Sequence, residues 1–343
     1  MWNGSLRSKF SVMVLGGGLL LSAACVPVVT PPGSGGSTSP TVAPPTNTAG
    51  VAGKPVAPSN GVLFGLWENP GEGNHTTEHE HALWLWRETF LGRKADIGHQ
   101  FYPFGTTWPT QRETWHIQNG RTPMISWNGT TASEINAGKH DALIRTRAKA
   151  LKALNAPVFL RYFWEPDAAK KDAMAGSPAE YVAQWKRVRS IFAQEGVTNA
   201  AWVWCPTAWA FNSGQAAAFY PGDDQVDWIC ADGYNWGQSQ SGDKWRDWAQ
   251  IYKGFYAFGT AHNKPMMAGE YGSVERYPGE KAAWFRTARQ QIKNMPRIKA
   301  VVYFDSRRQE NGVWRDWRPD TSTESYVAFR EMARDPYFNT RNR

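Results

Sequence analysis

One recurring theme constrains the fold of this chain more than any other feature. After residue 60 the sequence presents eight short, β-rich apolar runs, at 61–66, 95–102, 122–127, 157–163, 199–204, 226–231, 264–269 and 299–304. Helical patterns lie between them, among them 79–92, 142–155, 178–195, 245–258 and 280–295. A continuous apolar run leaves no polar face for water, so each predicts a parallel strand covered on both sides. Eight such units in about 280 residues predict a single (β/α)8 TIM barrel, an α/β fold. A doubly wound open sheet is the competitor, and it would carry a glycine-rich phosphate fingerprint after its first strand. The segment Gly65-Leu-Trp-Glu-Asn-Pro-Gly71 is not one.

The first 60 residues read differently. They contain no Asp or Glu and only Arg7, Lys9 and Lys54 as basic residues. Arg7 and Lys9 precede an apolar stretch, 10–21, which ends in Ser22-Ala23-Ala24-Cys25. A basic start, a short apolar core and small residues are the marks of an export signal over 1–24. The Cys directly after Ala-Ala resembles a bacterial lipobox, so Cys25 is the expected lipidation site; an ordinary secretory signal is the alternative. From 26 to 60 there are eight Pro, five Gly, four Ser and five Thr and no aromatic residue, a composition that predicts a solvated spacer. These readings place 25–60 as lipidated Cys and linker, and 61–343 as the folded domain. The protein is then expected to be exported and lipid-anchored at the cell surface, and to touch membrane only through that anchor.

Composition narrows the function classes. Beyond residue 60 the chain carries 35 Lys and Arg against 30 Asp and Glu, too even a balance for a nucleic-acid binder defined by charge. Its 47 aromatic residues, 19 of them Trp, exclude a disordered chain and suit either a large core or surfaces that stack on sugar rings. Cys205 and Cys230 are left to join as a disulfide or to remain two buried thiols.

In a barrel the chemistry sits at the C-terminal ends of the strands. The polar or aromatic residues there are Glu68, Tyr102, Trp127, Glu165, Tyr234, Glu270 and Asp305. Glu165 closes the fourth run and Glu270 the seventh, on strands that face each other across the mouth. Two carboxylates across an aromatic cleft are what glycoside hydrolysis requires: one protonates the departing oxygen, the other attacks the anomeric carbon or activates water.

Several stretches resemble glycoside hydrolase family 26, the β-mannanase family of a large retaining (β/α)8 clan. They are Pro123-Met-Ile-Ser-Trp127, Pro157-Val-Phe-Leu-Arg-Tyr-Phe-Trp-Glu165, Trp202-Val-Trp204 with Pro206, the run 220–228, Asp232-Gly-Tyr-Asn-Trp236 and Lys264-Pro-Met-Met-Ala-Gly-Glu270. The resemblance implies double displacement, with Glu165 as acid/base, Glu270 as nucleophile and Tyr234 donating to the nucleophile. Arg161, four residues before Glu165, would orient or electrostatically tune the pair, or form a structural ion pair. Two departures bear on substrate: Trp164 stands where the family's mannanases commonly have His, and Phe304 stands where a Trp platform is common.

Trp127, Trp164 and Trp236 are the stacking candidates for sugar subsites, with Trp67 and Trp108 weaker. The run 75–81, with three His and two Glu, reads as a capped helix start, and Asp223-Asp224 as a turn. No metal or cofactor is expected. The expected activity is endo-β-1,4-mannanase-like hydrolysis by a monomer acting on a β-linked polysaccharide or oligosaccharide. A β-1,3-xylanase, a mixed-linkage β-glucanase, an envelope-glycan hydrolase and a catalytically silent glycan-binding lipoprotein are the alternatives.

Overall fold

The computed structural model describes residues 53–71, 75–237, 242–310 and 312–341. The export signal and Cys25 lie outside the described residues. Eight parallel strands close into a barrel in chain order. They are β1 (Leu63–Glu68), β2 (Ile97–Tyr102), β3 (Thr122–Trp127), β4 (Val158–Tyr162), β5 (Ala200–Trp204), β6 (Trp228–Asn235), β7 (Met266–Ser273) and β8 (Ile298–Asp305). Pairing of β1 with β8 over six residues, from Leu63 opposite Ala300 to Glu68 opposite Asp305, closes the ring. The chain is a (β/α)8 barrel, and every predicted run is one of its strands.

Helices α1 (Thr77–Leu91), α2 (Gln111–Gln118), α3 (Ala132–Asn136), α4 (Asp141–Leu154) and α5 (Asp172–Ala175) accompany the first half. Helices α6 (Pro178–Gln194), α7 (Ala208–Ser213), α8 (Trp248–Ala261), α9 (Glu280–Lys293) and α10 (Thr323–Arg334) accompany the second. Their starts are written locally. At α6 the Ser177 hydroxyl accepts from Glu180 N–H while the Glu180 carboxylate accepts from Ser177 N–H, with Pro178 in the first turn. Asp247 and Gln250 start α8 in the same way.

Inside the barrel the lower tier is apolar: Leu63, Ile97, Met124, Phe159, Trp228, Met267 and Ala300 are buried there. Side chains two residues further along a strand share its face. On that rule Ile97 is followed by His99, Met124 by Ser126, Phe159 by Arg161 and Cys230 by Asp232, all buried. The interior therefore turns from apolar to polar toward the mouth, within one strand periodicity.

Five observations go beyond the sequence reading. Strands β6 and β7 run on to Asn235 and Ser273, with register shifts after Ala231 and Ala268, so Tyr234 and Glu270 lie within strands rather than past them. Gly233 and Gly269 serve close packing: a Cβ on Gly269 would stand 2.4 Å from Cys230 Sγ. A hairpin of β9 (Arg307–Glu310) and β10 (Val313–Asp316) follows β8. Residues 54–59, assigned above to the spacer, lie against the barrel floor: Lys54 pairs with Asp227 at 2.8 Å, the Ser59 carbonyl accepts from Lys299, and Ala57 packs on the inner core. Finally, Cys205, one residue past β5, and Cys230 of β6 form a disulfide, with Cα atoms 4.3 Å apart.

Candidate active site

Glu270 is held from both sides. Its Oε1 accepts from Arg161 Nη2 at 2.6 Å and its Oε2 from the Tyr234 hydroxyl at 2.5 Å. Arg161 is fully buried; its Nη1 donates to both oxygens of Asp232 at 2.7 Å and its Nε to Ser126 Oγ at 2.6 Å. Burial works against the guanidinium charge, but Asp232, Glu270 and Glu165 outweigh it, so Arg161 is more basic than an ordinary arginine. Burial and the adjacent Glu270 and Asp232 charges push the Tyr234 phenol well up, which keeps it a donor. Tyr252 donates to the carbonyls of Gly233 and Glu270 and ties the two strands together beneath the clamp.

Glu165 stands just past β4, on backbone of uncommon geometry. Phe163 and Glu165 have φ of 44° and 51°, a left-handed region that non-glycine residues rarely adopt. Such backbone persists where surrounding contacts over-determine it. Here Glu165 N–H donates to Cys205 O at 2.7 Å, and Trp164 between the two residues is gripped on its ring. Lys171 Nζ lies 3.9 Å from the centre of that ring and Arg161 5.3 Å, while Lys171 also donates to Asn128 at 2.5 Å. Asp167 accepts from Thr207 N–H at 2.9 Å and from the Thr207 hydroxyl; burial pushes its carboxyl up and those two bonds oppose it. Glu165, Asp232 and Tyr234 together line a cavity of about 950 Å³ at the barrel mouth.

Residues 127–309 match the sequence profile described as glycosyl hydrolase family 26. The chain belongs to that family. Endoglucanase H of Acetivibrio thermocellus is 30% identical over 286 residues, covering 80% of this chain and 30% of that protein. A β-1,3-xylanase of a Vibrio species is 28% identical over 168 residues, 45% of this chain and 31% of that one. The chain thus spans about a third of the length of the curated relatives it matches. The β-mannanase of family 26 from Bacteroides ovatus superposes with a TM-score of 0.60 at 16% identity, covering 81% of this chain and 90% of that one. At that identity the likeness is one of fold.

In this family 26 chain the structure draws together Glu270, Tyr234, Arg161, Glu165 and Trp164. Arg161 binds Glu270 and Asp232 directly, and the Glu165 charge also acts on it, so it stands both as an ion-pair partner and beside both carboxylates of the expected pair. Trp127 corrects a stacking assignment. It is fully buried, its ring 5.2 Å from Phe104 and packed near Trp108 and Phe192, so it meets protein on every side. Trp108 is equally buried. Phe304 is also covered: Trp67 stacks on it at 4.4 Å, and Trp67, the weaker candidate, is the ring that reaches solvent. Trp236 is half-buried on the cavity wall, with the Arg315 guanidinium 5.0 Å above it.

Other strand-end residues are structural. Glu68 and Asp305 share Arg87, and burial pushes both carboxyls up; Tyr102 donates to Glu113 of α2. The sequence reading missed Asp232, Ser126 and His99, the last held neutral by burial and by Arg161. The signal available was period 2: His99, Ser126 and Asp232 each stand two residues along the strand from an inward-facing apolar residue, Ile97, Met124 and Cys230. Among the described residues the grouping with metal-ligand spacing is Cys205, Cys230 and Asp232, and two of those are spent in the disulfide.

Proposed function

We propose that the protein is a retaining endo-β-glycanase acting on a β-linked glucan. The observation that carries the reaction is the clamp on Glu270: two donors on two different oxygens hold one carboxylate at the barrel mouth, and one of them, Tyr234, shares a cavity wall with Glu165. In this reading Glu165 gives its proton to the glycosidic oxygen while Glu270 attacks the anomeric carbon. The C–O bond to the leaving sugar breaks and a glycosyl ester of Glu270 forms. Glu165, now ionised, takes a proton from water, which displaces Glu270 and restores both groups. The open, aromatic-walled cavity supports attack within a chain rather than at its end.

The glucan assignment is supported by the likeness to a protein named an endoglucanase over 80% of the chain. It is supported too by Trp164 and Phe304, which depart from the mannanase pattern. Hydrolysis by residues 53–343 of mixed-linkage β-glucan, β-mannan, glucomannan and β-1,3-xylan, beside E165A and E270A, tests this. The expected result is glucan cleavage with the β-anomer released first, lost in both variants. Cleavage of mannan or xylan alone would move the substrate, release of the α-anomer would remove Glu270 as nucleophile, and binding without turnover would favour a silent glycan-binding lipoprotein. We also propose export and lipidation at Cys25; an intact mass of the membrane-extracted protein without acyl chains would refute it.

A further inference from the structure

We infer that Trp209 forms the stacking floor of a leaving-group subsite; the inference rests on the glycanase reading above. The 950 Å³ cavity starts at Glu165 and Tyr234 and runs across α7 to Gln215 and Phe219, and Glu270 is not among its lining residues. The group that protonates the departing oxygen faces the leaving sugar, so space opening beyond Glu165, away from Glu270, is where the leaving chain lies.

Trp209 lines this space and is 56% exposed. Helix α7 packs through Ala208, Ala210 and Phe211, all buried, which turns the intervening indole outward. A large apolar ring left to solvent is an informative exception. Two other tryptophans are half-exposed, and both have their rings in use. Trp86 carries the Arg87 guanidinium at 5.0 Å and meets Phe90, and Trp314 carries Arg307 at 4.8 Å. Among the described residues no ring or guanidinium packs on Trp209, and of the three it alone lines the cavity. The C–H face of a pyranose is the flat, apolar partner such a ring accepts, with the exposed Gln215 amide at the rim for its hydroxyls.

The platform is fixed relative to the acid. Thr207 caps α7, accepting from Ala210 N–H at 3.1 Å, and donates to Asp167, two residues beyond Glu165. Asn212 locks the far end to α8: its Nδ2 donates to Ile251 O and its Oδ1 accepts from Gly254 N–H, both at 2.8 Å. A sugar held on Trp209 is thereby registered against the proton it receives.

The test compares two leaving groups in wild type and W209A. One is the polymer that the wild type cleaves; the other is the β-fluoride of the matching disaccharide, whose leaving group is a single atom and fills no sugar subsite. The expected result is a kcat/KM about tenfold lower on polymer and unchanged on the fluoride, with W209F intermediate on polymer. Equal losses on both substrates, or no loss on polymer, would overturn the subsite while leaving the glycanase reading intact. A wild type that turns over no polymer and no fluoride would defeat the glycanase reading itself, and the subsite with it.

Discussion

Replacing Tyr234 by Phe removes one hydroxyl and tests what the clamp on Glu270 does. The ring remains between Phe304 and Trp317, so packing is kept, while Oε2 of Glu270 loses the donor at 2.5 Å and Oε1 keeps Arg161. A hydrogen bond to a charged group is worth about 1.5–3 kcal/mol. Its loss acts oppositely on the two chemical steps. In the first step the carboxylate is being consumed, so losing the donor makes it a stronger base but a less well-aimed one, and the effects offset. In the second step the carboxylate is being regenerated, and the missing donor would have stabilised the returning charge. The glycosyl ester should therefore break down about 10- to 150-fold more slowly, while its formation changes little. With a disaccharide β-fluoride, Y234F should show a burst of one equivalent, and mass spectrometry should find protein carrying one disaccharide. Because burial and neighbouring carboxylates hold the phenol well above its usual range, the ratio of wild-type to variant turnover should stay flat from about pH 5 to 9. No accumulation with unchanged turnover, or a ratio that collapses toward alkaline pH, would refute the reasoning.

Glu165 and Lys281 give two further expectations. Asn tolerates left-handed backbone better than Glu, so E165N should melt about 2 °C higher while losing hydrolysis of unactivated substrate; a lower melting point would show that Glu165 is not strained. Lys281 is fully buried, donates to the carbonyls of Asp316 and Arg318, and is lowered by burial to about 8. An unfolded lysine titrates near 10.4, so between about pH 8 and 10.4 the unfolded chain binds more protons and folding stability rises with pH. Relative to K281M, wild type should gain about 2–3 kcal/mol across that window in denaturant unfolding, and parallel profiles would sink the claim.

The barrel was legible because each strand is buried on both faces, which writes eight uninterrupted apolar runs into the chain. Strand ends were not, where the reason for a residue lies across the fold. The need for glycine at 233 and 269 was invisible, because the atoms that require their missing side chains, on Ile251 and Cys230, come from other elements. Glu165 and Glu270 could be named, since charge at a strand end is unusual in one dimension, and the roles of Tyr234 and Arg161 came from the family resemblance. Asp232 could not be singled out, because its role depends on sharing a guanidinium with Glu270 from the neighbouring strand. Trp127 failed for the converse reason: a strand-end tryptophan looks exposed until Phe104 and Phe192 close over it.

Charge balance at the mouth gives Trp164 a purpose beyond contact with a sugar. One guanidinium, Arg161, stands among three carboxyl groups, Asp232, Glu270 and Glu165. Burial pushes the Asp232 proton affinity up and Glu270 and Glu165 push the same way, with Arg161 opposing. With a single proton on any one of the three, the cluster carries one net negative charge. Under the proposed mechanism that charge faces the positive character of an oxocarbenium-like transition state. That sum already counts the Arg161 guanidinium, which lies against the rings of Phe101 and Trp164, each 5.3 Å away. Trp164 also meets Lys171 at 3.9 Å, so the indole lies against two cations and ionises at no working pH. Histidine there would be pushed toward its neutral form by the same two cations, as His99 is by Arg161, and would add a hydrogen-bonding group in place of the apolar face. An indole gives both cations an apolar π face at the cost of a hydrogen-bonding group, a loss that under the proposed mechanism falls on hydroxyl recognition and leaves the chemistry of the two carboxylates in place.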